Sequence, residues 1–201
     1  MLYALARNLV SFVFHIIYKI TIVGKENIPC AKGGFIIASN HVSNLDPPMV
    51  GIVFKGKYAF MAKEELFQGS RIFAWLITKL GAFPVKRGSK DLSVIDKALE
   101  SLDNGKIFVI FPEGTRSKNG ELGRPKSGVA ITAARAGAPV VPVFIKYGKK
   151  KFRRNVCVSV GAMISADEVK ADISDKHEIR RISERIMGQI AQLKADAPEI
   201  V

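Results

Sequence analysis

His41 and Asp46 are the two side chains in this sequence best placed for acid–base chemistry. Both lie in the stretch Ser39-Asn40-His41-Val42-Ser43-Asn44-Leu45-Asp46-Pro47-Pro48. On a continuous α-helix their spacing would leave them about 140° apart, on different faces. They can meet only across a turn, and the residues between them favour one. Ser43 and Asn44 form turns through side-chain bonds to nearby backbone. Pro47 keeps Asp46 out of the α region. A carboxylate on one imidazole nitrogen fixes the tautomer and leaves the other nitrogen as a base. The same pair also fits a blander arrangement, a core histidine beside a helix-capping aspartate with Pro47 at the first helical position.

A second group of candidates follows the apolar run Lys106-Ile107-Phe108-Val109-Ile110-Phe111. Pro112-Glu113-Gly114-Thr115-Arg116-Ser117 comes next. An arginine offers a planar fork of donors and a glycine lets backbone approach, so a loop of this kind at a strand end suits an anion. Glu113 and Arg116 would equally make an ion pair with each other. No residue stands out as a covalent nucleophile, and the G-x-S-x-G elbow of serine hydrolases is absent.

Together, Asn40-His41-x4-Asp46-Pro47 and Phe111-Pro112-Glu113-Gly114-Thr115-Arg116-Ser117 resemble two motifs of the glycerolipid acyltransferase family, specifically of its 1-acylglycerol-3-phosphate acyltransferases. Gly81-Ala82-Phe83-Pro84-Val85-Lys86-Arg87 is similar to the family's second block, and Ala138-Pro139-Val140-Val141-Pro142-Val143 to its fourth. The resemblance runs over roughly residues 20 to 165. Pro84 departs from the pattern, which usually has an apolar or aromatic residue there. The resemblance implies that the nucleophile is a hydroxyl of the substrate. His41 would take its proton and Asp46 would orient the ring. Lys63, or a backbone amide near Gly114, would stabilise the tetrahedral oxyanion. Arg87, Glu113, Gly114, Thr115 and Arg116 would hold a glycerol phosphate. The acceptor would be lysophosphatidic acid, the product phosphatidic acid for phospholipid biosynthesis. The acyl donor would be acyl-CoA or acyl-carrier protein, a co-substrate, with no metal and no other cofactor. Transfer to another lipid acceptor is the alternative, as is a non-catalytic basic protein that binds membranes or phosphate.

Composition agrees with an anionic partner. Among 201 residues, 31 Lys and Arg face 18 Asp and Glu, a net charge of +13. No finger, RNP-type or homeodomain signature supports nucleic acid as that partner. Cys30 and Cys157 make no disulfide framework and fit a reduced, cytosolic setting. His15, His41 and His177 are too scattered to suggest a metal site.

The elements that must carry these residues read as an α/β chain of a length suited to a single domain. Strands are expected over 21–24, 35–38, 57–62, 82–86, 106–111, 140–145 and 156–160. Helices are expected over 47–54, from Lys63 to about Leu80, over 89–103, over 127–136 up to Gly137, and over 174–196 with Ser174 as cap. The result is a largely parallel or mixed sheet flanked by helices, with the motif loops at strand ends; the resemblance implies that this fold is glycerol-3-phosphate acyltransferase-like. Residues 51–58 nearly match a phosphate-binding P-loop. Tyr58 stands where Ser or Thr is required, however, so the segment reads as a helix-to-strand loop. Residues 146–154 include six basic side chains, a solvated loop or a contact for anionic lipid.

Residues 1–20 read as a separate amphipathic helix before an acyltransferase domain over 21–201. Its polar residues Arg7, Asn8, Ser11, His15 and Lys19 form a narrow stripe. The uncharged run between Arg7 and Lys19 is eleven residues, too short to span a bilayer that needs about 20. The helix therefore either packs on the domain or lies in the membrane interface. With the charge and the family resemblance, the expected location is the cytoplasmic face of the cell membrane, as a peripheral or monotopic protein on an anionic surface.

Overall fold

A computed structural model describes residues 2–30, 34–85, 93–149 and 153–200. The chain opens with helix α1 (Leu2–Ile17), then strands and helices alternate: β1 (Tyr18–Val23), β2 (Ile36–Ser39), α2 (Asp46–Val53), β3 (Tyr58–Lys63), α3 (Glu65–Gln68), α4 (Arg71–Lys79), β4 (Ala82–Val85), α5 (Ser93–Asp103), β5 (Ile107–Ile110), α6 (Gly128–Ala136), β6 (Val140–Tyr147), β7 (Arg154–Val160) and α7 (Lys176–Ala195).

The seven strands form one sheet in the order β1-β7-β6-β2-β5-β3-β4. β6, β2, β5, β3 and β4 run parallel, while β7 turns back against β6 and carries β1 parallel to itself. β2 and β5 are buried at every position. That is what continuous apolar runs become when helices cover both faces of a sheet. On one face α5, α6 and α7 pack over Ile36, Phe108 and Val140. On the other, α1 and α2 pack over Ile37, Val109 and Val141. β4 lies at the sheet edge, with Pro84 opposite Ala62. An edge strand tolerates a residue without an amide proton, so the departure at Pro84 is accommodated there.

Several boundaries differ from the sequence expectation, each for a local reason. The expected 1–20 helix ends at Ile17, and Tyr18 to Ile20 already belong to β1, paired with Arg154 to Val156. The expected helix from Lys63 to Leu80 breaks at Gly69-Ser70, where the Ser70 hydroxyl accepts the Phe73 amide and starts α4 afresh. α7 is capped by Asp175, which accepts the His177 and Glu178 amides, and not by Ser174. Gly137 ends α6 in the left-handed region, φ 55°, as its position requires. The P-loop-like stretch is indeed the passage from α2 into β3. The expected strand end at Lys86, the start of the 89–103 helix and part of the basic 146–154 run lie outside the described residues.

The functional consequence is topological. α2, leaving β2, packs on one face of the sheet, and α6, the helix after β5, packs on the other. β2 and β5 are direct neighbours. Chains that leave adjacent parallel strands toward opposite faces open a crevice beyond the carboxyl ends of those strands, where open α/β sheets bind ligands.

Candidate active site at the β2–β5 crevice

The residues past β2 form a tight turn around one carboxylate. Asp46 Oδ2 accepts the Val42 and Ser43 amides at 2.8 and 2.7 Å and lies 2.8 Å from His41 Nδ1. Its other oxygen, Oδ1, accepts the Tyr147 hydroxyl at 2.9 Å. A carboxylate is an acceptor only, so all four donors are matched. Asp46 is fully buried, and a buried polar group without partners would be costly. Asp46 is also the first residue of α2, but its carboxylate faces back into the preceding turn; α2 has Leu45 at its N-cap and no side-chain cap.

With Asp46 on Nδ1, Nε2 of His41 is the nitrogen left as a base. The ring stacks on Phe111, centroids 4.0 Å apart and planes 17° from parallel. A tenth of the side chain reaches solvent. Neighbouring strands hold the backbone of this turn. The Asn40 carboxamide donates to the Ile145 carbonyl at 3.0 Å and accepts the Ile145 amide at 2.7 Å, tying the turn to β6. The His41 carbonyl accepts the Ser117 amide at 2.8 Å, tying it to the loop after β5.

Glu113 completes that tie. Its Oε1 accepts the His41 amide at 3.1 Å and its Oε2 the Gly123 amide at 2.9 Å. It is buried, with both oxygens engaged. Expected among the residues that hold the acceptor, Glu113 instead braces the histidine turn against the loop after β5. Replacing it with glutamine removes one acceptor and leaves a buried amide unsatisfied. Glu113→Gln is expected to cost about 1–3 kcal/mol of stability, read by urea denaturation, and to lower kcat more than it raises KM. A change in KM for the phosphorylated acceptor alone would make Glu113 a substrate ligand.

Gly114 adopts φ +70°, and a Cβ there would come within 3.0 Å of the Lys126 side chain. Only glycine takes this backbone conformation cheaply with a lysine folded over it. Its amide is used internally, donating to the Phe111 carbonyl at 2.9 Å. Among the described residues the next two amides, of Thr115 and Arg116, have no hydrogen-bond partner. Arg116 and Thr115 are exposed and line an open cleft of about 440 Å³ with Lys118 and Arg124. Glu121, also on the cleft wall, is neutralised by Lys194 at 2.6 Å. The wall is thus positive, as an anionic ligand requires.

The structure brings His41, Asp46, Glu113, Gly114, Thr115 and Arg116 to one crevice. Lys63 ends β3 at the same sheet edge, exposed and two strands from β2, and no hydrogen bond joins it to the pair. Arg87 lies outside the described residues. Sequence reasoning missed Tyr147, Lys118, Arg124 and Lys126. The last three follow Arg116 within one polar loop, and that proximity was the available signal. Tyr147 ends a strand parallel and adjacent to β2, so the carboxyl-end rule was the only pointer to it.

A protein-family model described as "Acyltransferase" matches residues 19–146. The chloroplastic 1-acyl-sn-glycerol-3-phosphate acyltransferase of Arabidopsis thaliana is 36% identical over 129 residues, 63% of this chain and 35% of that protein. The chain thus spans about a third of the length of that plant relative. The 1-acyl-sn-glycerol-3-phosphate acyltransferase of Bacillus subtilis (strain 168) is 29% identical over 199 residues, 96% of this chain and 97% of that protein. In three dimensions the chain is similar to the crystal structure of the 1-acyl-sn-glycerophosphate acyltransferase of Thermotoga maritima. That match has TM-score 0.74 and 26% identity and covers 99% of this chain and 81% of the other.

Proposed function

This chain belongs to the acyltransferase family, and from that premise we propose that it transfers an acyl group from a thioester to the free hydroxyl of a 1-acylglycerol 3-phosphate, giving phosphatidic acid. The observation that carries the reading is the His41–Asp46 pair, 2.8 Å apart, beside the positive loop that follows β5. His41 Nε2 takes the acceptor's hydroxyl proton while Asp46 supports the imidazolium. The hydroxyl oxygen attacks the thioester carbonyl. The Thr115 and Arg116 amides, with Lys63 as the further candidate, receive the oxyanion. Collapse of the tetrahedral intermediate breaks the carbon–sulfur bond, and the proton held by His41 goes to the leaving thiolate. Arg116 and Arg87 take the acceptor phosphate, and Lys118 and Arg124 add to the field that attracts it. The donor, acyl-CoA or acyl-carrier protein, is a co-substrate and the reaction needs no metal or other cofactor. Names of relatives at both full and partial coverage support this acceptor. The test is release of free thiol from an acyl thioester by the purified chain, with and without lysophosphatidate. Release that depends on lysophosphatidate is expected; a chain that never releases thiol is the non-catalytic phosphate binder instead.

We further propose that the protein sits on a membrane surface, because acceptor and product carry fatty chains, and on the cytoplasmic face, where an acyl-CoA or acyl-carrier-protein donor would be met. Among the described residues no helix is long and apolar enough to cross a bilayer. α1 has two apolar faces. Phe14 and Val10 join the core, while Leu9 and Phe12 stand 62% and 66% exposed, with Ile16 and Ile17 also outward. α3 and α4 expose Leu66, Ile72, Phe73 and Trp75 as well. Such apolar surface beside a strong positive charge suits an in-plane anchor on anionic lipid. Leu9→Ser with Phe12→Ser is expected to weaken co-sedimentation with anionic vesicles by tenfold or more. The two side chains would forgo about 1.5–3 kcal/mol each, while the melting temperature holds because neither is in the core. High salt should weaken binding of the unaltered protein without abolishing it. Equal sedimentation of both proteins would contradict the anchor.

A further inference from the structure

We propose that Tyr147 is a positioning residue for the His41–Asp46 pair, its phenolic hydroxyl holding the Asp46 carboxylate in the orientation that His41 requires. The inference rests on the acyl-transfer reading above and adds a residue to it. Three N–H groups converge on Oδ2 of Asp46, from Val42, Ser43 and the His41 ring. All three come from the turn that Asp46 itself closes. Among the described residues Oδ1 has one partner, the Tyr147 hydroxyl. That hydroxyl reaches Asp46 across 101 residues of sequence, from the end of β6. Among the described residues it is therefore the one bond that refers the carboxylate's rotation to the sheet and not to the turn's own backbone.

The tyrosine ring is held in turn. Tyr18, where α1 passes into β1, meets it edge-on at 6.3 Å and 68°. The Arg154 guanidinium lies 5.0 Å from the ring centroid, and its Nε donates to the Gly148 carbonyl at 2.7 Å. Burial and the neighbouring Asp46 carboxylate push the Tyr147 phenol far above its ordinary value, so it stays protonated and stays a donor. A ring fixed on two sides by β1 and β7, with a hydroxyl that stays protonated on a fully buried carboxylate, is a rigid support for the pair.

Tyr147→Phe keeps the ring and removes only the oxygen. Measured as thiol release from palmitoyl-CoA with lysophosphatidate in vesicles, kcat is expected to fall about tenfold, the usual scale for a hydrogen bond to a charged group. KM for both substrates should stay within twofold, and the protein should stay folded at the assay temperature, its melting temperature lowered only as far as one lost partner of a buried carboxylate requires. In an Asp46→Ala background the same change should cost less than twofold, because no carboxylate is left for the hydroxyl to hold. Three results overturn the proposal: kcat within twofold of the unaltered protein, a loss confined to KM, or an undiminished tenfold loss in the Asp46→Ala background. If the unaltered protein releases no thiol, the acyl-transfer reading fails. Positioning is then read from the ring itself, by the proton resonance of His41 Nδ1–H. Tyr147→Phe should move that resonance, and an unmoved one overturns the inference independently of activity.

Discussion

His41→Ala is expected to lower kcat by about 10²–10⁴-fold, the usual loss when a general base is removed, while the protein stays folded. The chemical part follows from position. His41 Nε2 is the basic atom of a ring fixed by Asp46 on one nitrogen and by Phe111 on its face. The structural part follows from where the turn's support comes from. The bonds of His41 to Glu113 and Ser117 use its backbone, so alanine retains them. Asp46 loses one of its four donors but keeps the Val42, Ser43 and Tyr147 bonds. The cost in stability should therefore be about 1–3 kcal/mol, the range for a partly unsatisfied buried group and lost packing. Thiol release and a urea melt on the same preparation check both parts. A folded alanine variant with near-native turnover would remove His41 from the mechanism.

Asp46→Asn is the second large effect, and the hydrogen bonds around it predict its character. The Val42 and Ser43 amides can only donate, so the new amide oxygen must occupy the Oδ2 position. Its NH₂ then faces the Tyr147 oxygen, which can rotate its proton away and accept. The oxygen at the Oδ2 position still accepts from His41 Nδ1, so the imidazole keeps its tautomer. What disappears is the negative charge opposite the imidazolium. The expected loss in kcat is about 10²-fold, against about 10⁴-fold when the wrong tautomer is trapped. The melting curve should change little, since every backbone donor keeps an acceptor. A large fall in melting temperature with kcat nearly intact would make Asp46 a structural brace of its turn.

Much of this arrangement is legible in the sequence because it is local. Two prolines after Asp46 and the Ser43-Asn44 pair specify a turn, and a turn is what lets residues five apart converge. The buried runs before His41 and before Glu113 announce neighbouring strands of a covered sheet. What is not legible is pairing at a distance. Nothing near Tyr147 shows that β6 lies against β2, or that its last residue reaches Asp46. Glu113 illustrates a different limit. In sequence its carboxylate is simply a charge beside an arginine. Only its burial and its two amide donors distinguish a brace from a ligand. The helix over 1–20 runs past its true end because Tyr18 and Ile20 are as apolar as the residues before them. Strand pairing with β7 decides there, against a periodicity that could continue. The same pairing sets Tyr18, the first residue of β1 after α1, against the ring of Tyr147.

Acyl transfer to a phosphorylated glycerolipid can be read from a competition between two acceptors. The purified chain is given one acyl-CoA and equal amounts of 1-acylglycerol 3-phosphate and 1-acylglycerol in vesicles, and the lipid products are weighed by mass spectrometry. Phosphatidic acid is expected in step with released thiol, with little diacylglycerol, because the positive wall formed by Arg116, Lys118 and Arg124 favours the phosphate. Thiol release with diacylglycerol as the main product, or no lipid product at all, would contradict it.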